Sequence, residues 1–431
     1  MLPIHWFLDG TKVFNSAGMD QCFLLVSWSG CGAKGVSRKV KHFAMQVPEW
    51  RYLNDETNAE LARFVGWLQR VLMGIAPRNI GYYGEPMDAF AGLPSPPRLY
   101  LGGLKTDWSQ RKTMHHYNRY WRGPYICEHC DGRNRGACLY SDFRSEPDWA
   151  ATQRSHANMM AAAKKVSPWF VELADCGLTK DRHHMDGLHF MYKRGCVSEF
   201  LGSLFMEWIR KDNLFMDLGV SEDVRLRHLF GQYAKWMRDG KISSHRLIPW
   251  NLHRLCASDV NQYPAVTDRY KCGDCKTMAL WAAEKAEDLL ISKVLHGGEL
   301  TPHDRIRYTA ATSLAGYIRT CSSAPALMED TERLQALAHG QRFLECYSAL
   351  AKGALDRNEF YYKVRPKFHQ LAHVLRKLKL GDRENPRTHE TWGEESLGGF
   401  LARLNRRCHG ATVMLAAANR CVGALLSDLP K

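Results

Sequence analysis

The opening of the chain alternates between short apolar runs and turn-forming residues. Apolar and aromatic side chains dominate residues 3–8, and a stronger apolar run covers residues 21–28. A glycine-rich turn at residues 29–35 separates this run from a third one at residues 41–47. Runs of this length with short connections predict three strands in an antiparallel meander.

Asp9 follows the first of these runs without a break and is itself followed by Gly10. A carboxylate near the end of a buried strand is costly unless something pairs with it, and a metal ion is one such partner. Taken alone, Asp9 is more simply explained as a turn residue at a strand end. The metal interpretation therefore depends on whether other acidic residues can meet Asp9.

A helix and a fourth strand are predicted next. Apolar residues recur at three- and four-residue steps from Leu61 to Leu72, which indicates one buried face of a helix. A loop rich in glycine and proline, residues 81–97, leads into an apolar run that ends at Asp107. Three meandering strands, a helix and a further strand form the opening of an RNase H-like fold.

In that architecture the first and fourth strands are neighbours, so Asp9 and Asp107 would lie close together. Two adjacent carboxylates repel each other unless divalent cations lie between them, and two metals suit phosphodiester chemistry. We therefore expect a site for two Mg²⁺ or Mn²⁺ ions. Lys105, Arg111 and Lys112 flank Asp107 and would either hold DNA phosphates or form a solvated basic turn.

Helical spacing dominates the chain from residue 148 onward, and no linker separates this region from the preceding strands. The predicted fold class is α/β (α+β), an RNase H-like mixed sheet with a large all-helical insertion and C-terminal helices. Residues 1–145 would form the first part of the core, and residues 146–380 the helical region. Residues 381–431 would return an acidic residue to the core. Helical patterns cover residues 149–166 and 197–211, and a further helix opens at residue 364. The clearest patterns cover residues 224–237, 277–294, 304–321 and 331–355.

The C-terminal part carries basic residues and a further pair of acids. Glu394 and Glu395 lie in the first turn of a predicted helix, where either one could be the third metal-binding acid or only a favourable charge at the helix start. The basic side chains could contact a phosphate backbone or form solvated helix faces. They are Lys363, Arg365, Lys367, His369, His373, Arg376, Arg403, Arg406 and Arg407.

Cysteine spacing suggests zinc. Cys127 and Cys130 have the two-residue spacing of a zinc knuckle, and Cys272 and Cys275 repeat it far downstream. The four thiolates would close a tetrahedral site if the fold brings them together, with His129 and Cys138 as substitutes for the second pair. Reduced cysteines in turns are the alternative.

Composition supports a polyanionic partner. The net charge of +14 and the pI near 9.1 make nucleic acid the first partner to consider, although a merely basic protein remains the alternative. No stretch has 18 uninterrupted apolar residues, and no secretory signal begins the sequence, so we expect no membrane partner. Only eight residues precede Asp9, which leaves open both an abrupt start and a missing upstream segment.

The order of these motifs resembles transposase-derived proteins of the CACTA/Plavaka-like group and the transposable-element-related proteins of dinoflagellate genomes. The resemblance rests on Asp9-Gly10, the Gly-Leu-Lys-Thr-Asp run ending at Asp107, Cys127-x-x-Cys130, Asp186-x-x-His189, the Pro-Lys-Phe-His segment ending at His373, and Glu394-Glu395. It implies an Asp-Asp-Glu triad of Asp9, Asp107 and Glu395, with Glu394 as the alternate.

The same resemblance implies a nuclear, DNA-binding protein, with a homo-oligomer as a further option. Asp186 and His189 match the acid-x-x-His motif that follows the second Asp in such transposases, although a structural tie between a strand and a helix also explains them. The predicted function is transposase-like cleavage and transfer of DNA strands, in an intact, degenerate or truncated element. The alternatives are a catalytically inactive nucleic-acid-binding protein and a zinc-stabilised interaction module.

Overall fold

The computed structural model describes residues 2–16, 19–30, 41–48, 55–77, 80–86, 98–119, 122–219, 221–242, 247–267 and 269–392. By their contacts the residues form two compact units. Unit 1 comprises Met1–Asp131, Gln153–Asp186 and Thr388–Lys431, and unit 2 comprises Gly132–Thr152 and Gly187–Arg387. The protein is a mixed α/β structure in which helix predominates.

Unit 1 contains a five-stranded mixed sheet. Its strands are β1 (Leu2–Ser16), β2 (Met19–Gly30), β3 (Lys41–Pro48), β4 (Leu99–Thr106) and β5 (His183–Met185). The order across the sheet is β3-β2-β1-β4-β5, with β1, β2 and β3 antiparallel in turn and β4 and β5 parallel to β1. The predicted meander is therefore confirmed, and so is the adjacency of the first and fourth strands.

Helix α1 (Asp55–Met73) covers the sheet with the apolar face that its spacing predicts, and acidic residues occupy its first turn. Two tryptophans join the apolar core to polar partners on this helix. The indole Nε1 of Trp6 donates to Gln69 Oε1 at 2.8 Å, and that of Trp169 donates to Asn58 Oδ1 at 2.7 Å. Each buried indole thus keeps its hydrogen bond, as burial requires.

Four short helices follow α1: α2 (Trp108–His115), α3 (His156–Ala161), α4 (Pro168–Glu172) and α5 (Gly187–Met191). The single helix predicted over residues 149–166 is wrong. A 3₁₀ turn at Asp148–Thr152 precedes α3, and Ser155 caps α3 by accepting from the backbone N–H of Asn158. The 3₁₀ turn ends at Thr152, and α3 begins only after Ser155, whose hydroxyl oxygen accepts the hydrogen bond that a preceding helical carbonyl would otherwise accept.

Unit 2 is built on long helices that match the predicted spacing. They are α6 (Cys196–Arg210), α7 (Glu222–Asp239), α8 (Cys272–Leu295), α9 (Pro302–Ser323), α10 (Asp330–Asp356) and α11 (Pro366–Lys379). Every residue of α6 except Arg210 is buried, as expected for the central helix of a bundle. Aromatic rings pack beside it, with ring centroids 4.5 Å apart for Phe205 and Trp250 and 5.6 Å apart for Trp250 and Trp281.

No helix in the described ranges has the length and apolar character needed to cross a membrane. The C-terminal helices predicted from residue 389 onward lie almost entirely outside the described residues, which end at Trp392.

Candidate functional site

Three aspartates directly follow one row of paired residues across the parallel part of the sheet. Leu8 of β1 is in register with Thr106 of β4, and Thr106 is in register with Met185 of β5. The next residues along the chain are Asp9, Asp107 and Asp186. Because neighbouring strands lie about 4.8 Å apart, the three backbones are adjacent at one level of the sheet. We call this set the acidic edge.

The side chains of Asp107 and Asp186 each have a defined partner, whereas only the backbone of Asp9 is described. Asp107 is the N-cap of α2 and accepts from the backbone N–H of Gln110 at 2.6 Å. Asp186 is only 4% exposed and accepts from Thr391 Oγ1 at 2.7 Å. Asp186 was expected only as a secondary residue, and its register with the other two acids had no signal in the sequence.

Loss of the Thr391 hydroxyl should destabilise the fold around Asp186. Thr391→Val keeps the shape but removes the hydrogen bond to a buried carboxylate, so we expect the free energy of unfolding to fall by about 1–3 kcal/mol. Urea denaturation measures this change. Thr391→Ser, which keeps the hydroxyl, is the matched control. Equal stabilities for the valine and serine variants would show that the hydrogen bond from Thr391 to Asp186 contributes nothing to the stability of the fold.

The other predicted acids and three of the basic residues cannot be located. Glu394, Glu395, Arg403, Arg406 and Arg407 lie outside the described residues. Their assignment to metal or DNA therefore stays a prediction.

A buried chain of hydrogen-bonding side chains lies behind the acidic edge. Ser167 Oγ is 2.6 Å from His115 Nδ1, His115 Nε2 is 2.7 Å from His183 Nδ1, and His183 Nε2 is 2.8 Å from Thr106 Oγ1. Burial lowers the pKa of His115 well below its usual value, with a further contribution from nearby Arg111, so this imidazole is neutral. The chain holds Thr106, the residue directly before Asp107, in a fixed position.

Two basic residues expected to contact phosphate beside Asp107 are buried instead. Arg111 is 1% exposed, and its guanidinium lies 3.0 Å from Glu128 Oε1 and 2.9 Å from His129 Nε2. Lys105 is 3% exposed within β4. Side chains so enclosed cannot reach a bound nucleic acid, so this expectation is wrong for both. Lys112, half-buried on α2, stays a candidate.

The basic residues before and within α11 are mostly engaged inside unit 2. Arg365 pairs with the buried Glu199, whose pKa burial raises to about 7 in spite of that partner. Lys367 donates to the backbone carbonyls of His189 and Lys193. Arg376 is half-buried, whereas Lys363 is exposed. Among the described residues of this predicted DNA-binding set, Lys363 is the most exposed, and its Nζ lies 5.2 Å from the centroid of the Tyr263 ring. Arg365 and Lys367 instead form contacts within unit 2.

Two pairs of buried residues carry donor atoms that suit zinc: Cys127 and Cys130 in unit 1, and His369 and His373 in unit 2. We call them the Cys pair and the His pair. Thiolates and imidazoles are the standard ligands of structural zinc, so both pairs are consistent with that ion. Cys272 and Cys275, the predicted partners of the first cysteine pair, lie in the first turn of α8.

The two histidines are oriented as ligands by their surroundings. His369 and His373 are four residues apart on α11, and their Nε2 atoms lie 3.1 Å apart. Two nitrogens bound to one zinc ion are separated by about 3.3 Å, given Zn–N bonds near 2.1 Å. His369 Nδ1 lies 3.0 Å from the carbonyl oxygen of Tyr140, and a proton donated there leaves Nε2 available to the metal.

This arrangement corrects the expected role of both histidines. We predicted that His369 and His373 contact DNA, but they are 0% and 7% exposed, and the ring of Trp149 packs against both. The signal that could have identified them is their spacing, since two histidines four residues apart on a helix face one way and commonly share a metal. His189, which was paired in sequence with Asp186, has its Nε2 3.2 Å from Lys193 Nζ.

No protein-family model matches the chain, and no curated protein matches it significantly.

Proposed function

We propose that the protein is a transposase-like nuclease that cleaves and transfers DNA strands with two Mg²⁺ or Mn²⁺ ions bound at the acidic edge. The observation that carries this proposal is that Asp9, Asp107 and Asp186 directly follow residues in register across three parallel strands. Carboxylates that converged at this edge would repel one another unless divalent cations lay between them. One ion would activate the attacking oxygen and the other would stabilise the leaving oxygen.

The strand order supports an RNase H-like core for unit 1. Three antiparallel strands followed by two that run parallel to the first give the order β3-β2-β1-β4-β5. The adjacency of β1 and β4 is what the RNase H-like arrangement requires of its first two acids. Under this proposal the helical residues between Asp186 and Thr388 are an insertion in that core.

The proposed site differs from the sequence-based expectation mainly in the identity of its third acidic residue. The resemblance implies Glu395, with Glu394 as the alternate, whereas the register supports Asp186 as an additional carboxylate at the same level. Asp186 would act as a metal ligand or position one through its hydrogen bond from Thr391.

The test is DNA nicking in Mg²⁺ or Mn²⁺ by the wild type and by Asp107→Asn. Asparagine also caps helices, so the variant should retain α2 while it loses one metal-binding charge. We expect cleavage to fall by at least about 100-fold, equivalent to about 2.7 kcal/mol in the barrier. Asp259→Asn is the matched control, because this exposed aspartate also accepts from a nearby backbone N–H.

The outcomes separate the candidate functions. Lost cleavage with DNA binding retained supports the two-metal site. Cleavage unchanged in Asp107→Asn would overturn the site assignment. No cleavage by either protein, with salt-sensitive DNA binding by both, would favour a catalytically inactive nucleic-acid-binding protein.

A further inference from the structure

A pocket lies on unit 2 between α10, α11 and residues 143–150. It contains about 360 Å³ of space between the protein atoms, part of it open to solvent. That volume is at the small end of the range for ligand pockets, about 300–1,000 Å³. The lining residues of the two helices recur at three- and four-residue steps, so they share one face of each helix. They are Leu337, Gln341 and Leu344 of α10 and Ala372, Leu375 and Arg376 of α11.

The segment that closes the pocket is fixed to both helices. Gln341 Nε2 donates to the carbonyl oxygen of Phe143 at 2.7 Å, and Lys379 Nζ donates to that of Ser145 at 3.0 Å. A ligand does not have to order walls that are already joined in this way, and this lowers the cost of binding.

Of the three cations that line the pocket, Arg376 differs from the other two in its partners. Arg144 pairs with Asp142 at 2.6 Å, and Lys379 pairs with Glu146. Arg376 is half-buried, and its Nε is enclosed without a hydrogen-bond partner among the described residues. Because an enclosed N–H group without an acceptor costs free energy, an anion in the pocket would give this guanidinium what it lacks.

The floor of the pocket is apolar. Phe143, Leu344 and Leu375 are 4%, 0% and 1% exposed, so the atoms that they present to the pocket belong to the core of unit 2. An apolar floor beside one unpaired cation favours a ligand with a carbon skeleton and a single negative charge. It suits a nucleic-acid backbone less well, because that backbone is charged at every nucleotide and is held by several cations.

We propose that this pocket binds a small carboxylic acid with an apolar body. The guanidinium of Arg376 would hold the carboxylate, because its planar fork of N–H donors matches the two carboxylate oxygens. The carbon skeleton would lie against Leu337, Leu344 and Leu375. The proposal does not depend on the proposed nuclease function, and it replaces the expected contact of Arg376 with DNA.

The experiment titrates the full-length protein with phenylacetate and follows the ligand by saturation-transfer NMR. We expect a dissociation constant of about 1 mM, as is usual for a molecule of this size. Phenylacetamide has the same shape without the charge. It should bind at least about 10-fold more weakly, because a hydrogen bond to a charged group is the stronger kind.

Two variants and a control locate the binding. Arg376→Gln should weaken phenylacetate binding at least about 10-fold, because it removes the charged donor. Leu337→Glu places a negative charge at a half-buried position of the lining, and it serves if the first variant does not fold. Arg305→Gln removes the same charge at an exposed position on α9 and should bind phenylacetate as the wild type does.

Weakened binding by the folded pocket variants, with binding by Arg305→Gln unchanged, supports the proposal. The proposal is overturned if the wild type shows no saturable binding, or if phenylacetate and phenylacetamide bind equally well. Displacement of phenylacetate by a DNA oligonucleotide or by inorganic phosphate at a lower concentration would also overturn it, and would assign the pocket to a phosphate group.

Discussion

Replacing Cys127 with serine is expected to remove zinc bound by the Cys pair and to lower the free energy of unfolding by several kcal/mol. Structural zinc binds small domains with apparent free energies of about 10–16 kcal/mol at pH 7, and loss of one thiolate removes a large share of this. Both cysteines are buried, so water would not take the place of the lost ligand. Metal analysis and thermal unfolding measure the two effects.

Three comparisons make this result specific. Cys346→Ser alters a free, half-buried cysteine outside the Cys pair and should leave the zinc content unchanged. His373→Gln should also lower the zinc content, because it removes one imidazole of the His pair. A strong chelator should lower the melting temperature of the wild type much more than that of Cys127→Ser. Identical zinc content in Cys127→Ser and the wild type would rule out the Cys pair as a zinc ligand.

Glu207→Ala should destabilise unit 2 by about 3–5 kcal/mol, because it removes the anion from a buried charge network. Glu207 is fully buried on α6 and accepts from Tyr362 at 2.6 Å, from Lys211 at 2.9 Å and from His303 at 3.0 Å. The guanidinium of Arg307 lies 3.6 Å away. Without the carboxylate, the ammonium of Lys211 and the guanidinium of Arg307, together with His303 when it is protonated, would lie close together with little water around them.

The pH dependence of this effect is predictable. Burial alone would raise the pKa of Glu207, but hydrogen bonds from His303 and Tyr362 and the charge of Lys211 outweigh it and lower the pKa to about 2. A carboxylate with a lowered pKa stabilises the fold fully above its unfolded value near 4.5, and the contribution disappears as the pH falls toward 2. The stability difference between the wild type and Glu207→Gln should therefore shrink over that interval.

A surface pair provides the control for Glu207. Asp356→Ala removes an exposed carboxylate that is paired with Lys352 one helical turn away, and it should change the free energy of unfolding by less than about 0.5 kcal/mol. Urea denaturation at pH 7 compares all three proteins. If Glu207→Ala and Asp356→Ala lower the free energy of unfolding by the same amount, the buried network contributes no more stability than a solvated ion pair.

Local patterns predicted the elements well, because strand and long-helix periodicities are set by neighbouring residues. The three-strand meander and the helices α6 to α11 follow directly from such spacing. The helix predicted over residues 149–166 is wrong, since a 3₁₀ turn ends at Thr152 and Ser155 caps a separate short helix. Competition of that kind between capping and helix continuation depends on the tertiary setting and leaves little trace in periodicity.

The sites were harder to predict, because their residues meet only in the folded chain. The basic character of Arg111 indicated phosphate binding, but Glu128 neutralises it in the interior. We predicted that His369 and His373 belong to a positively charged DNA-binding surface, although their four-residue spacing on a helix also suits a metal site. In the sequence, Asp186 stands out only through its spacing to His189. Its position at the same level as Asp107 results from the pairing of β5 with β4, which no local sequence pattern indicates.

The split of unit 1 along the chain has a consequence during synthesis. Thr391 lies 205 positions after its partner Asp186, so the hydrogen bond cannot form until that stretch of chain has left the ribosome. At translation rates of about 5–20 residues per second, Asp186 would lack this partner for roughly 10–40 s. We expect chaperones that shield incomplete sheets to bind the growing chain during that interval, and a chain that stops just before Thr391 would never gain the bond.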